Sequence, residues 1–139
     1  HLKMNAGYSG TPLAKKLGLK EGFKILLYNA PDYYFELFSD LPEKLEQLTV
    51  PANESADFVH AFLTSYDSLK EQSTFFKSIL KKSGMLWVSW PKGSSKIKTD
   101  LKRDMIREHL LEVGLVDIKV AAVDEDWSGL KFVYRKKDR

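Results

Sequence analysis

The sequence predicts an α/β domain built as three layers. A mostly parallel sheet of about five strands should carry helices on both faces, with an antiparallel strand pair at the C-terminus. Three segments, 23–29, 58–63 and 85–90, carry consecutive rather than alternating apolar residues, Ile25 to Tyr28 in the first, as strands buried on both faces do. Helical spacing fills the intervals between these runs, so successive strands are joined by crossovers and lie parallel. The last two runs alternate, and only the stretch from Asp124 to Gly129 joins them, which suits a hairpin.

Residues 1–10 read as an N-terminal arm and 11–139 as a single domain, long enough to bury a real core. The arm ends in Gly7-Tyr8-Ser9-Gly10. Thr11, Pro12 and Gly18 then have the cap, first-turn and exit chemistry of a short helix over 12–17. Ile25, Leu26, Leu27 and Tyr28 form the first strand. Ala30-Pro31-Asp32 ends it, and Asp32 is placed to cap a helix running through Tyr33, Tyr34, Phe35, Leu37 and Phe38. Residues 41–51 suit either a helical turn or a short edge strand. The second strand is Phe58-Val59-His60-Ala61-Phe62-Leu63.

Ser68-Leu69-Lys70-Glu71 has capping-box spacing and opens a helix with Leu69, Phe76, Ile79 and Leu80 on one face. Lys77, Lys81 and Lys82 suit the negative end of its dipole, and Gly84 is placed to close it. The central strand follows as Met85-Leu86-Trp87-Val88-Ser89-Trp90. Trp87 and Trp90, three apart, face opposite sides of the sheet. Core packing is the simplest role for both. After Pro91-Lys92 and the loop from Gly93 to Lys98, Thr99 or Asp100 caps a helix with Leu101, Met105, Ile106, Leu110 and Val113 inward. Gly114 ends that helix. The alternation of Val116, Ile118, Val120 and Ala122, and of Leu130, Phe132 and Tyr134, puts the last two strands toward an edge.

Composition excludes several chemistries. Without cysteine there is no disulfide, thiol nucleophile or thiolate metal site, and the chain fits a reducing, cytoplasmic compartment. No apolar run approaches the ~18 residues of a membrane span, and the start has no signal-peptide pattern. The net charge of +3 owes much to Arg135-Lys136-Lys137-Asp138-Arg139, so it argues poorly for a nucleic-acid groove, and no nucleic acid is expected. His60 in a strand and His109 in a helix lack ligand spacing. Asp124, Glu125 and Asp126 read as solvated turn acids rather than a cation loop. Ser9, Ser89 and Ser128 do not sit in G-x-S-x-G. No metal, cofactor or catalytic residue is assigned.

The element order over residues 23–136 resembles the later half of a class I methyltransferase-like, Rossmann-related sheet, in which the last strand inserts between its two predecessors. That likeness implies the spatial order first strand, Phe58 strand, Met85 strand, Leu130 strand, Leu115 strand. Such folds carry a glycine-rich turn after the first strand, where the backbone approaches the cofactor. Here the turn is Asn29-Ala30-Pro31-Asp32, without glycine, and Pro31 removes a donor. No acid ends a second strand to hold a ribose. S-adenosylmethionine is therefore not expected. Four blocks are similar to a bacterial family, the domain of unknown function numbered 3052. They are Gly7-Tyr8-Ser9-Gly10-Thr11-Pro12-Leu13-Ala14-Lys15-Lys16-Leu17-Gly18, Leu86-Trp87-Val88-Ser89-Trp90-Pro91-Lys92, Gly114-Leu115-Val116-Asp117-Ile118-Lys119-Val120 and Ala122-Val123-Asp124-Glu125-Asp126-Trp127-Ser128-Gly129-Leu130-Lys131. That resemblance implies no established activity.

Open α/β sheets bind ligands at the C-terminal ends of their strands. The candidates there are Asn29 and Asp32 after the first strand, Ser65 after the second, and Trp90, Lys92, Ser94 and Ser95 after the third. Lys92, Lys96 and Lys98, with the helix N-terminus at Thr99 or Asp100, suit an anion. The alternative is a non-catalytic interaction module presenting Tyr8, Ser9, Thr11 and Trp127. The partner expected is a small molecule or a protein, a second copy of this chain included, with neither nucleic acid nor membrane. Catalysis is left open.

Overall fold

The computed structural model describes residues 10–139, so the arm residues Tyr8 and Ser9 lie outside the described residues. Its centre is a six-stranded sheet in the order β2-β1-β3-β4-β6-β5. Strands β1 (Lys24–Tyr28), β2 (Glu46–Gln47), β3 (Ala56–Phe62) and β4 (Leu80–Pro91) run parallel to one another. Strand β6 (Trp127–Tyr134) runs antiparallel between β4 and β5 (Leu115–Ala122). The five expected strands thus take the expected order. The two residues of β2 extend the sheet beyond β1, which resolves the ambiguity over 41–51 as an edge strand.

Side-chain alternation divides the core into two clusters. Helices α2 (Tyr66–Ile79) and α3 (Arg103–Val113) cover one face, packing on Val59, Ala61, Leu86, Val88, Trp90, Leu130 and Phe132. Helix α1 (Leu13–Leu17) and a 3₁₀ turn (Tyr34–Leu37) cover the other, over Ile25, Phe58, Phe62, Trp87 and Trp127. Trp87 and Trp90 therefore lie on opposite faces, both in the core. The indole N–H of Trp87 is satisfied by the carbonyl of Leu17 at 2.8 Å, which ties β4 to the end of α1.

Helix starts differ from the sequence expectation because distant carboxylates do the capping. Thr11 makes no cap for α1; the Asp40 carboxylate accepts from the backbone N–H of Ala14 and of Lys15, each at 3.0 Å. Asp32 caps nothing, and the helix expected after it is the single 3₁₀ turn. Helix α2 is capped by Ser65, whose hydroxyl accepts from the N–H of Ser68 at 3.1 Å, and not by Ser68 itself. Asp100 accepts from the N–H of Tyr66 at 2.8 Å, so it serves α2 and not α3. Helix α3 begins at Arg103 with no side-chain cap.

Gly84 closes no helix. Chain leaves α2 directly into the twelve-residue β4, and Gly84 sits within it. A Cβ there would stand 2.9 Å from the carbonyl oxygen of Ala56, where the β3–β4 register is irregular. Gly18 and Gly114 end α1 and α3 with φ of 82° and 112°, the left-handed exit that glycine accepts most readily. Ile118 and Val120 are half exposed, because β5 is the sheet edge. No helix among the described residues is long and apolar enough to cross a membrane.

Candidate functional site

Strand β1 has β2 on one side and β3 on the other, so the direction of winding switches between β1 and β3. A crevice at the C-terminal ends of such a pair is where doubly wound sheets receive ligands. Here aromatic packing fills it. The chain leaves β1 through Asn29, which takes a left-handed φ of 56°, and brings Tyr34 down over the sheet. The Tyr34 hydroxyl bonds His60 Nδ1 at 2.9 Å, and His60 Nε2 bonds the Ser89 hydroxyl at 2.8 Å. His60 also stacks on Phe62 with ring centroids 4.3 Å apart.

Serine, histidine and tyrosine hydrogen-bonded in series resemble a nucleophile, its base and an orienting group. Burial decides otherwise: His60 and Ser89 are fully buried, and Tyr34 nearly so. Desolvation pushes the His60 imidazole down to about 3, so it stays neutral and is a poor base near neutral pH. Both of its nitrogens are matched to hydroxyls that can donate or accept. The trio is a polar rivet joining β3, β4 and the 3₁₀ turn.

The β5–β6 hairpin tip is locked in the same manner. One oxygen of Asp124 accepts from the N–H groups of Asp126 and Trp127, each at 2.8 Å, and the other from the Tyr33 hydroxyl at 2.8 Å. Asp124 is therefore buried turn chemistry rather than the solvated acid expected, and among the described residues no group of three or more His, Cys, Asp or Glu could hold a metal ion. Trp127 is buried against the edge of Phe62 at 5.0 Å, which removes it from any presented surface. Asp126 reaches onward: its carbonyl accepts from the N–H of Lys92 at 2.8 Å, and its carboxylate from the Ser95 hydroxyl at 2.7 Å.

Those two bonds hold one end of the loop that follows β4. Thr99 holds the other, donating its hydroxyl to the carbonyl of Thr64 at 2.7 Å while accepting from the N–H of Leu101 at 2.9 Å. Between these anchors lies an open basin of about 660 Å³. Lys92, Lys96, Lys98, Lys102 and Arg103 line it with Trp90 at its floor, and no carboxylate lies in its wall. The uncapped first turn of α3 opens at Arg103, where backbone N–H groups favour an anion.

Among the sequence candidates, Trp90, Lys92 and Ser95 meet in this basin. Ser94 is exposed in the same loop but outside the lining. Asn29 and Asp32 lie on the exposed turn after β1, and Ser65 is occupied as the cap of α2. Thr11 lines a separate cleft of about 200 Å³ with Lys16, Leu37 and Val123. Lys102 and Arg103 complete the basin but were not singled out from the sequence; the five cations between 92 and 103 were the available signal. The His60 rivet had no sequence signal, because its members come from three distant segments.

No family model matches the chain, and no curated protein matches it. Solved structures do. A SAM-dependent methyltransferase from Aquifex aeolicus aligns over 85% of both chains at 13% identity with a TM-score of 0.61. The fold is class I methyltransferase-like. Fibrillarin from Aeropyrum pernix, solved with natively bound S-adenosyl-L-methionine, aligns over 87% of this chain and 73% of its own at 14% identity and a TM-score of 0.59. The [4+2]-cyclase SpnF aligns over 88% and 79% at 10% identity and a TM-score of 0.61. At such identities the likeness is one of fold.

The residues present do not fit the adenosyl cofactor of this methyltransferase-like fold. The turn after β1 has Asn29, Ala30 and Pro31 where a glycine-rich turn would bring backbone N–H groups to a ligand. No α-helix follows β1, so no helix N-terminus points at the crevice. Strand β2 ends at Gln47 and continues into Leu48 and Thr49, so no acid stands at its C-terminal end for a ribose; its Glu46 pairs with Lys24 at the start of β1. Tyr34 is packed over β3 beside the switch point.

Proposed function

We propose that this domain binds a small anionic ligand in the basin after β4, at the C-terminal edge of the sheet, without S-adenosylmethionine. The observation that carries this reading is five cationic side chains around one open basin with no carboxylate in its lining; of the five, Arg103 pairs with Asp104 outside it at 3.6 Å. Like charges held together repel, and an anion relieves that repulsion while accepting the free N–H groups of α3. The loop anchors at Asp126 and Thr64 supply a fixed frame, so less ordering entropy is lost on binding.

Inorganic phosphate is the probe. It should raise the melting temperature of the parent in a concentration-dependent way, as any ligand of the folded state does. Lys92→Ala and Lys98→Ala should each weaken that stabilisation while leaving the ligand-free melting temperature nearly unchanged. Equal stabilisation of both variants and the parent would remove the basin from consideration.

Two finer readings belong with this proposal. Kinship with domain-of-unknown-function family 3052, and with it a bacterial origin, is supported by the four sequence blocks alone. The cytoplasm as its location is supported by the absence of cysteine. A non-catalytic interaction module is the second functional reading, and the packed switch point favours it: a methyltransferase-like fold whose crevice is filled by Tyr34 has kept its scaffold without the cofactor cradle.

A further inference from the structure

We propose that the α1-side face of the β5–β6 hairpin, a surface distinct from the basin, binds the phosphate backbone of a nucleic-acid duplex. The starting observation is a register pairing. Lys119 on β5 lies directly opposite Lys131 on β6. Like charges directly opposed across two strands are destabilising, so this pair costs the isolated domain stability. Alternation along β6 puts Lys131 on the same face as Gly129, which packs against Trp87 of the α1-side core.

Further lysines converge on that pair. The Lys131 ammonium lies beside Gly18 at the end of α1, and Lys16 donates to the carbonyl of Ala122 at 3.0 Å, which fixes it beside β5. Burial lowers the affinity of Lys131 for its proton, and the positive charges of Lys119 and Lys20 lower it further. Burial, Lys92 and Lys119 act on Lys16 in the same direction. A groove of about 500 Å³ between α1 and β5, lined by Lys15, Lys16 and Lys119, runs along this face.

The small net charge conceals this arrangement. Residues 32–57 carry seven acids against one lysine, and they include β2, the sheet edge opposite β5. The rest of the chain carries twelve acids against 21 lysines and arginines, so the overall +3 conceals an uneven distribution, and a mild total does not argue against a basic face.

Two features select a duplex. A membrane-binding face is broad and apolar, carrying Trp, Phe and Leu beside its cations, whereas the large exposed apolar side chains near these lysines are only Ile118 and Val120 on the edge strand β5. Single strands are held largely by aromatic stacking. No aromatic lines the lysine groove: Phe75 lies on α2, Phe35 on the 3₁₀ turn, and Tyr33, which does reach the hairpin tip, has its hydroxyl bonded to Asp124. What remains is contact to phosphates by lysine, which carries affinity without sequence preference.

The test is a salt series of fluorescence-anisotropy titrations with a short labelled DNA duplex, comparing the parent with the K119Q/K131Q double variant and with K20Q. The parent should bind with affinity that falls as salt rises. The double variant should bind on the order of tenfold more weakly at low salt, with a log–log salt slope shallower by about 2; K20Q should shift it by about 1. Removing a like-charge pair should leave the melting temperature of K119Q/K131Q at or above the parent's, and its stabilisation by phosphate intact. No binding at low salt, an unchanged slope in both variants, or binding to phosphatidylserine vesicles in preference to the duplex would overturn the proposal.

Discussion

His60 has two hydrogen-bond partners, no exposure and a proton affinity pushed down to about 3 by burial. An unfolded chain protonates the same imidazole near its ordinary value of about 6.5. Because the folded value is the lower one, the unfolded state takes up a proton first as the solution is acidified. The stability that His60 confers is complete above pH ~6.5 and is lost progressively as pH falls toward 3. The slope is about 1.4 kcal/mol per pH unit, and about 2 kcal/mol disappears between pH 7 and pH 5. Urea unfolding at both values should show the parent losing about that much more than His60→Gln, which keeps polar atoms but does not titrate. A parent and variant with the same pH dependence would show that His60 does not govern it. Gly129 offers a second measurement. A Cβ there would stand 3.0 Å from the Trp87 ring, and Trp87 is fully buried. Gly129→Ala should therefore destabilise by about 1–3 kcal/mol in the same assay. The opposite facing of Trp87 and Trp90 was legible from their spacing; the fit of Trp87 against Gly129 was not, because register is a property of two strands.

Among the elements, helices held their identity better than their starts. Apolar spacing marks α2 and α3 because it reports which face meets the sheet, and Gly18 and Gly114 mark exits because the left-handed exit is local. Starts are less local here. The Asp40 carboxylate bonds two N–H groups of α1 from 26 and 25 residues away, and Asp100 bonds α2 from 34 residues away. Asp40→Ala should cost about 1–2 kcal/mol, at the upper end for a cap because two donors lose their partner. Asp100→Ala should cost nearer 0.5–1 kcal/mol, since Ser65 still serves α2. Both should appear as lower urea midpoints with unchanged m-values. The far end of α3 is tied across elements as well: Lys77 donates to the carbonyl of Val113 at 2.9 Å, and Arg135 to that of Leu111 at 2.8 Å. Strand β2 was unreadable because two residues carry no period. It exists through pairing with β1, where the N–H of Glu46 meets the carbonyl of Phe23 at 2.9 Å and that of Leu48 meets Ile25 at 2.8 Å.

For the molecule as a whole, a methyltransferase-like sheet is combined with a β1 turn that the cofactor of that fold does not suit. Helix, glycine turn and terminal acid are all lacking around β1 and β2, while β3 to β6 are well formed. Titration with S-adenosylmethionine, followed by calorimetry and by melting temperature, should give no saturable heat and no shift; a micromolar dissociation constant would contradict this. Charge follows the same division. The acidic stretch 32–57 surrounds β2, and the lysines gather around β4, β5 and β6.

The amino-acid pattern alone determined five of the six strands, that three of them are buried on both faces, and that a hairpin closes the domain. Burial and alternation are written into successive residues, and short turns force antiparallel neighbours. Only tertiary structure decided the sites. It brought Trp90, Lys92 and Ser95 into one basin with Lys102 and Arg103, and it buried Trp127. It set Lys119 against Lys131 and placed Tyr34 and Ser89 on the two nitrogens of His60. Each of these juxtapositions depends on side-chain direction and register between segments far apart in the chain, and neither quantity is expressed by the residues of one segment.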